Sequence, residues 1–210
     1  MTVSTLSARE VHRVKRAPVS DGLLPVVLER WSPRSFESRE VNPEDLKRVF
    51  EAAHWAPSSF NEQPWRFLVA KRGSESFDKI VATLTTGNQA WAPKAPVLIL
   101  SAAKRDFTSS GAPNRFALHD LGAAAVLITL QATALGLATH QMAGFDENAM
   151  RQAFGIPEEF LIGSVMALGY QGEPSALPTE KLIAAEIAPR SRKALSEFVF
   201  SAWGEPAQLG

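Results

Sequence analysis

The sequence contains no cysteine, which excludes disulfide bonds, thiolate nucleophiles and cysteine-based metal sites. Its 22 lysine and arginine residues are balanced by 22 aspartate and glutamate residues, so the formal net charge is zero. Proteins that bind nucleic acids are usually conspicuously basic, and we therefore expect no nucleic-acid partner. The 4 histidines lie far apart in the chain, and none has the spacing of a metal ligand pair, so we expect no metal.

Several longer signals are also missing. There is no G-x-G-x-x-G sequence and no Walker loop, which argues against dinucleotide-fold and phosphate-loop enzymes. No apolar run is expected to reach membrane-spanning length, so no membrane partner is predicted. The N-terminus lacks the apolar core of a signal peptide, which predicts a cytoplasmic protein. What remains is a chain of 210 residues with 45% hydrophobic residues, enough for one globular core.

Residues 1–20 are polar and basic and are predicted to form an N-terminal arm, with a single domain over 21–210. Ser7 and Glu10 have the spacing of a capping box, which would open a short helix. A frayed arm and an arm that packs on a partner subunit are the alternatives.

Strands that alternate with helices favour an α+β or α/β fold, with one sheet of four or five strands. Asn42 and Pro43 predict the start of a helix, because they supply an N-cap and a first-turn proline. Helices are also predicted at 23–29, at about 74–84 and after Asp146, where Gly155 ends the helix. The predicted strands are 66–71, 96–101, a short segment after Gly136, 161–170 and a possible last strand at 195–200.

A long helix from Phe116 to Leu135 is apolar nearly all round. Such a helix is buried either in a domain core or in a subunit interface. The interface is favoured, because a chain of this length offers limited room for it. The preceding residues 104–115 are polar and predict a loop or mobile lid.

The stretch from Ala56 to Phe67 carries two prolines and a run of small polar residues, so it predicts a turn-rich loop that enters a strand. Asn61 and Gln63 offer amide donors and acceptors, and Trp65 offers a flat apolar face. This combination suits a planar heterocycle with polar edges. An ordinary loop, with amides bonded to backbone and a tryptophan in the core, is the alternative.

Two small clusters of arginine are typical of phosphate ligands. Arg30, Ser32 and Arg34 form one, and Arg190 and Arg192 form the other. Solvated surface arginines are the alternative. Because no catalytic nucleophile is evident, the phosphate clamp and the polar loop suggest that a bound cofactor supplies the reactivity.

These motifs together resemble the FMN-dependent nitroreductase family. The resemblance rests on Arg30-x-Ser32-x-Arg34, Ala56-Pro57-Ser58-Ser59-x-Asn61-x-Gln63-Pro64-Trp65, Gly144-Phe145-Asp146, Leu168-Gly169-Tyr170 and Arg190-x-Arg192-Lys193, in the family's order. It implies an α+β homodimer with a mostly antiparallel sheet flanked by helices, a long buried helix at the dimer interface and two FMN sites between the subunits.

The resemblance also implies a set of site residues. The implied cofactor-binding residues are Arg30, Trp31, Ser32, Pro33, Arg34, Pro57, Ser58, Ser59, Asn61, Gln63, Gln141, Met142, Ala143, Gly144, Arg190 and Arg192. The arginines would hold the phosphate, the 57–59 segment would reach the flavin of the partner subunit, and 141–144 would lie along the flavin ring. Trp31 replaces a basic residue of many relatives, and Ala194 replaces a common proline. Phe107 and Phe116 are the candidate substrate-stacking residues.

The implied activity is ping-pong reduction of nitroaromatic, quinone or similar electron-poor molecules by NAD(P)H through flavin N5, with no catalytic acid or base. Two alternatives stay open. One is another reaction on the same fold, such as dehalogenation, ring oxidation or flavin breakdown. The other is a flavin-binding protein without catalysis, which the Trp31 replacement makes conceivable.

Overall fold

The computed structural model describes residues 6–18 and 22–209. Short 3-10 turns connect some of the elements. The helices are α1 (Ala8–Lys15), α2 (Pro25–Glu29), α3 (Pro43–His54), α4 (Glu75–Thr83), α5 (Thr86–Gln89), α6 (Ala117–Ala134), α7 (Glu147–Phe154) and α8 (Glu180–Ile187). The strands are β1 (Trp65–Lys71), β2 (Val97–Lys104), β3 (Ala138–Met142), β4 (Phe160–Gly169), β5 (Phe200–Ala202) and β6 (Glu205–Pro206).

The main sheet has four strands in the order β1-β2-β4-β3, and every neighbouring pair is antiparallel. This confirms the predicted antiparallel α+β fold. The predicted last strand at 195–200 needs correction. Leu195–Glu197 forms a 3-10 turn, and the strand begins only at Phe200. Within the described residues it pairs with β6 in a separate two-stranded sheet.

The sheet is covered on both faces, which explains why β2 is a continuous apolar run rather than an alternating one. Leu98 and Leu100 face a cluster that includes the fully buried Ile80 and the buried Trp91. The alternate residues of β2, such as Ile99, point to the other face of the sheet and contact a second cluster formed with α3 and α6. Helices therefore pack on both faces of the sheet.

Helix α6 is buried along one face only. Ala124 and Ile128 are fully buried in the cluster with Ile99. Leu118 and Val126, in contrast, are 49% and 51% exposed in the single chain. By length and composition alone, α6 could cross a membrane, so the expectation that no segment reaches that length was wrong. Its packed face is that of a core helix.

The N-terminal segment forms the predicted short helix α1, and both bonds of the Ser7–Glu10 capping box are present. Val11 is fully buried, and Lys15 donates to the Ala185 carbonyl oxygen at 3.0 Å, so α1 packs on α8 of the same chain. Residues 1–5 and 19–20 of the predicted arm, and residue 21 of the predicted domain, lie outside the described residues. The division into an arm and a domain at residue 20 stays a prediction.

Candidate functional site

The two predicted arginine clusters meet in one place. Arg30, in the loop between α2 and α3, donates to the Ser32 hydroxyl at 3.3 Å. Arg190, in the segment after α8, donates to the carbonyl oxygens of Arg30 and Leu28. The C-terminal segment therefore holds the backbone of the loop that leads to Ser32, although the two are 160 residues apart in sequence.

A cavity of about 540 Å³ at this contact is lined by four cationic side chains, Arg30, Arg190, Arg192 and Lys193. Burial lowers the pKa of Arg30, and the charge of Arg192 lowers it further. Burial also lowers the pKa of Arg190, with additional repulsion from Arg30 and Arg192. Among residues 6–18 and 22–209, no ion pair gives these side chains a carboxylate. The concentrated positive charge makes this cavity a candidate anion site.

One buried donor in the cavity wall needs an acceptor. Arg190 Nε is buried, and no described residue accepts a hydrogen bond from it. A buried donor left without a partner costs about 1–3 kcal/mol, which an anionic oxygen would remove. Guanidinium groups and phosphate oxygens match in geometry and charge. The residues present therefore fit the phosphate end of FMN.

The arginine loop is held against strand β3 by His140. The Pro33 carbonyl oxygen can only accept, so His140 Nδ1, at 2.9 Å, carries the proton and donates to it. Burial lowers the pKa of His140 to about 4, and Arg34 and Arg30 add to this effect. The imidazole is thus neutral at pH 7, and its ring centre lies 4.6 Å from that of Trp91. Loop and strand are thereby joined beside the cavity.

The segment after β3 is fixed through Gly144. Its carbonyl oxygen accepts from the Thr85 N–H at 2.9 Å, from the Thr85 hydroxyl at 3.1 Å and from Asn88 Nδ2 at 2.9 Å. A Cβ atom at position 144 would lie 2.8 Å from both side chains, so only glycine fits without a shift. Gln141 is held by the Ser164 hydroxyl, which donates to its Oε1 at 2.9 Å. Between these fixed points Ala143 is exposed, and its carbonyl oxygen accepts from the Phe145 N–H at 3.1 Å.

Arg30 lines the arginine cavity, whereas the other four candidate residues of its loop, Trp31, Ser32, Pro33 and Arg34, are not among the described residues that line it. Trp31 is buried, and the Lys15 ammonium lies 4.8 Å from its ring centre, so its side chain packs beneath the loop. Arg34 lines a separate cavity of about 220 Å³ with Trp91 and Lys94. Met142 is also buried and lies within the core cluster, so it can contribute only backbone to a ligand.

The candidate residues at 57–63 form a second group. The Ser59 N–H donates to Asp120 Oδ2 at 2.9 Å, which ties the loop to the first turn of α6. The Ser58 hydroxyl accepts from the Gln63 N–H at 3.0 Å, and the Gln63 amide donates to the Asn61 carbonyl oxygen. Phe60, Asn61 and Gln63 have φ of 51°, 56° and 51°, in the left-handed region. Such backbone is typical of tightly determined functional loops.

Phe107 contacts this second group, and Phe116 lies at the start of α6, four residues before Asp120. The Phe107 ring meets the ring of Phe60 edge-on at 5.7 Å, and Phe60 is 93% exposed. The Thr108 N–H and hydroxyl both donate to Glu62, which ties the 104–115 loop to the 57–63 loop. Phe116 immediately precedes α6 and is 39% exposed. Phe60 and Phe116 are therefore exposed, whereas Phe107 is half-buried, and the Arg115 guanidinium lies 4.7 Å from the Phe116 ring centre.

Within one chain, the two groups lie at opposite ends of α6. Arg30 shares the lining of a cavity with Thr133 and Gly136 at the C-terminal end of the helix. The 57–63 loop is bonded to Asp120 near its N-terminal end. At 1.5 Å per residue, Asp120 and Thr133 are about 20 Å apart along the helix axis. The single chain does not bring the 57–63 loop to the arginine cavity.

Sequence reasoning missed four residues that support the site, His140, Thr85, Asn88 and Glu186. An isolated histidine or glutamate carries no local signal, because its role depends on partners far away in sequence. Asn88 lies in the short helix α5, in a region that the sequence predicted to be a loop, and no motif marked it. Its contact with Gly144 could be seen only in the fold.

Fold and site together define a flavoprotein-like oxidoreductase: an antiparallel sheet between helical layers with a phosphate-type cavity at its edge. The model of the Nitroreductase family matches residues 27–170. The "Putative NADH dehydrogenase/NAD(P)H nitroreductase" of Archaeoglobus fulgidus is 33% identical over 151 residues, covering 70% of this chain and 84% of that protein. The "NADH dehydrogenase" of Thermus thermophilus is 26% identical, covering 86% of this chain and 93% of that protein.

Solved structures agree with this assignment. A structure described as an oxidoreductase containing FMN has a TM-score of 0.82 and 33% identity, covering 88% of this chain and 94% of that one. A structure from Desulfovibrio desulfuricans described as "a putative nitroreductase in complex with fmn" has a TM-score of 0.70 at 23% identity. The match covers 88% of this chain and 98% of that one, and it supports the fold alone. The chain belongs to the nitroreductase family. The resemblance drawn from its sequence motifs is confirmed.

Proposed function

We propose that this protein uses NAD(P)H to reduce nitroaromatic, quinone or similar electron-poor small molecules, with FMN bound at the arginine-lined cavity. The chain is an NAD(P)H-dependent flavin oxidoreductase, and FMN is its cofactor. The observation that carries the assignment of the site is the buried Arg190 Nε, which lacks an acceptor beside three further cations. A phosphate there would satisfy a donor and neutralise a like-charged cluster at once.

The chain's own residues bind and orient the cofactor. Arg30, Arg190 and Arg192 would hold the phosphate, with Ser32 adding a hydroxyl donor. When bound, FMN supplies hydride transfer, which no side chain of the protein can perform. The family resemblance implies that the backbone from Gln141 to Gly144 would lie along the flavin ring. Its ends are fixed by hydrogen bonds with Ser164, Thr85 and Asn88. A fixed N–H donor at this segment would stabilise charge that develops on the ring.

Two copies of the chain are needed to complete the proposed site. The 57–63 loop and the arginine cavity are about 20 Å apart along α6, so we infer that one chain does not place both on one cofactor, in keeping with the family resemblance, which implies that the 57–59 segment reaches the flavin of the partner subunit. The exposed side chains Leu118 and Val126 give α6 an apolar stripe suited to a second copy. A homodimer would cover this stripe and bring Pro57, Ser58, Ser59, Asn61 and Gln63 of one subunit to the cavity of the other.

The rings of Phe107 and Phe116 would then face the flavin of the partner. Phe107 and Phe116 offer flat apolar surfaces to an electron-poor ring, which stacks favourably on an electron-rich one. Because both the nicotinamide and the acceptor would use this one surface, turnover is expected to be ping-pong. Since NAD(P)H is a reductant of the cell interior, the cytoplasm remains the proposed compartment.

The test combines a spectrum with a titration. Purified protein is expected to show flavin absorbance and to release FMN on denaturation. Anaerobic addition of NADH or NADPH should bleach that absorbance, and a nitroarene or quinone should restore it. A protein whose bound flavin is bleached by dithionite but by neither nicotinamide would contradict the proposed activity. The rates with the two nicotinamides give the preference between them.

A further inference from the structure

The backbone that carries Arg34 is held by a buried carboxylate that no motif marks. Glu186, on helix α8, is 1% exposed. It accepts from the Arg34 N–H at 2.9 and 3.1 Å and from the Ser35 N–H at 3.0 Å. The Ser35 hydroxyl donates to the Glu173 carbonyl oxygen at 2.6 Å. Both peptides of this turn are thus bonded to groups about 140–150 residues later in the chain.

The same turn is held from its other side by His140, which donates to the Pro33 carbonyl oxygen. Three successive residues, Pro33, Arg34 and Ser35, therefore have their backbone groups bonded to side chains of β3 and α8. Loops that bind ligands are usually among the less stable parts of a protein. A loop clamped in this way is ordered before its ligand arrives, so the binding free energy is not reduced by the entropy lost in ordering the loop.

Helix α1 places a buried cation, the ammonium group of Lys15, near Glu186. The Lys15 side chain is 6% exposed, donates to the Ala185 carbonyl oxygen next to Glu186 and covers the Trp31 ring of the same loop. Burial raises the pKa of Glu186, whereas its N–H partners and the charges of Arg34 and Lys15 act in the opposite direction. Burial in turn lowers the pKa of Lys15, and Glu186 opposes that change. Each group thus stabilises the charged form of the other.

The anchoring of α1 is specific. The Ala8 N–H donates to Glu173 Oε2 at 2.8 Å, and the Gln171 amide donates to the Ala8 carbonyl oxygen at 3.1 Å. These bonds place Lys15, one helix length later, over Trp31. Lys15 and Glu186 both lie outside residues 27–170, which the family model matches.

We infer that Lys15 and Glu186 form a buried charge clamp that positions the Arg30–Arg34 loop for the cofactor, making helix α1 a working part of the flavin site. Glu186 is the positioning residue, and Lys15 acts through it. Neither side chain needs to touch FMN. The inference rests on the proposed placement of FMN at the arginine loop.

The experiment is a double-mutant cycle on flavin-stripped, full-length protein, titrated with FMN and followed by flavin fluorescence. Glu186→Gln removes the charge but keeps the size, and Lys15→Met removes the ammonium but keeps the stem. Each is expected to weaken FMN about tenfold, as for the loss of one charge-assisted hydrogen bond. The double variant should lose little more than Glu186→Gln alone. Glu180→Gln, an exposed change on α8, and Arg13→Met, an exposed change on α1, are the matched controls.

Two further measurements distinguish the proposed positioning role of Lys15 and Glu186 from a purely structural role. The visible circular dichroism of the bound flavin, taken at saturating FMN, should change in Glu186→Gln and Lys15→Met but not in the controls, because the loop is misplaced even when flavin is bound. Apo-protein melting temperatures report general destabilisation. If both variants only lower the melting temperature, with control-like affinity and dichroism, the clamp is overturned. Additive losses of affinity in the double variant would overturn the role assigned to Lys15.

A wrong placement of the FMN phosphate at the arginine cavity would give a different result from a wrong assignment of the clamp. If Arg192→Gln weakens FMN and riboflavin alike or leaves both affinities unchanged, the phosphate is not at the arginine cavity and the proposed site fails. If Arg192→Gln weakens FMN selectively while Glu186→Gln behaves like Glu180→Gln, the site stands and the clamp alone is wrong.

Discussion

Arg192→Gln is the sharpest test of the arginine cavity, because it removes one charge without removing a structural contact to another element. Arg190 is unsuitable, since its guanidinium holds the carbonyl oxygens of Leu28 and Arg30. The described hydrogen bond of the Arg192 side chain is to the carbonyl oxygen of its own neighbour, Ser191. FMN carries a phosphate of about −1.5 to −2 charge near neutrality, by analogy with phosphorylated side chains. Riboflavin has the same ring and no phosphate.

The expected magnitude follows from exposure. A hydrogen bond to a charged group contributes about 1.5–3 kcal/mol, which corresponds to a 10- to 150-fold change in affinity. Arg192 is exposed, so water and salt screen its charge, and the low end of this range, about tenfold, applies. Riboflavin affinity should stay within about twofold, because a phosphate contact is all that the substitution removes.

The assay is titration of flavin-stripped protein with FMN and with riboflavin, followed by quenching of flavin fluorescence, at low and at high salt. Lys47→Gln, which removes an exposed cation on α3, is the control for net charge. The difference between wild type and Arg192→Gln should shrink as salt increases. An equal loss for both ligands would show that Arg192 supports the fold, and no loss for either would show that it is a surface residue. Both results would refute the placement of the phosphate.

Four further outcomes are expected. Gly144→Ala should lower the free energy of unfolding by about 1–3 kcal/mol in chemical denaturation, because its Cβ would lie 2.8 Å from two side chains. Gly87→Ala is the control, because a Cβ at residue 87 would meet open space and should not lower the free energy of unfolding. Equal effects of the two substitutions would argue against the close packing at residue 144. Burial depresses the pKa of His140 to about 4, so the unfolded state binds more protons than the folded state between pH 6.5 and 4. The free energy of unfolding should therefore decrease by at most about 3 kcal/mol as the pH is lowered over that range. His140→Asn should flatten this pH dependence, and an unchanged slope would contradict the assignment of a buried, neutral His140. Phe107→Ala should raise KM for a nitroarene without slowing flavin reduction by NAD(P)H in stopped flow, and intersecting rather than parallel double-reciprocal lines would count against a shared surface. Val126→Glu should shift the protein from dimer to monomer in sedimentation, whereas a wild-type monomer loaded with FMN at micromolar concentration would exclude the homodimer.

Local sequence determined the elements that surround the site. Asn42 and Pro43 predicted the start of α3, because an N-cap acceptor and a proline at the first helical position act within one turn. The left-handed φ of 59° at Gly155 ends α7 where the glycine predicted. The apolar run of β2 predicted an interior strand, and its burial on both faces bears that out. The arginine and 57–63 motifs, together with Gly144-Phe145-Asp146 and Leu168-Gly169-Tyr170 in the family's order, predicted the family, which the comparisons confirm.

Tertiary structure alone decided how those parts meet. Arg190 reaches the Arg30 carbonyl oxygen, Glu186 reaches the Arg34 N–H and His140 reaches the Pro33 carbonyl oxygen, each from more than 100 residues away. Such contacts depend on the path of the whole chain, whereas caps and strand runs depend on neighbours within a few residues. The same limit explains why the exposed face of α6 and the C-terminal hairpin could not be predicted, since burial is set by the elements that pack on a segment rather than by its composition. The sequence therefore determined which groups could bind a flavin phosphate. Only the fold decided which of these groups face one cavity, because like charges from distant parts of the chain stay together only where the packed sheet and helices hold them.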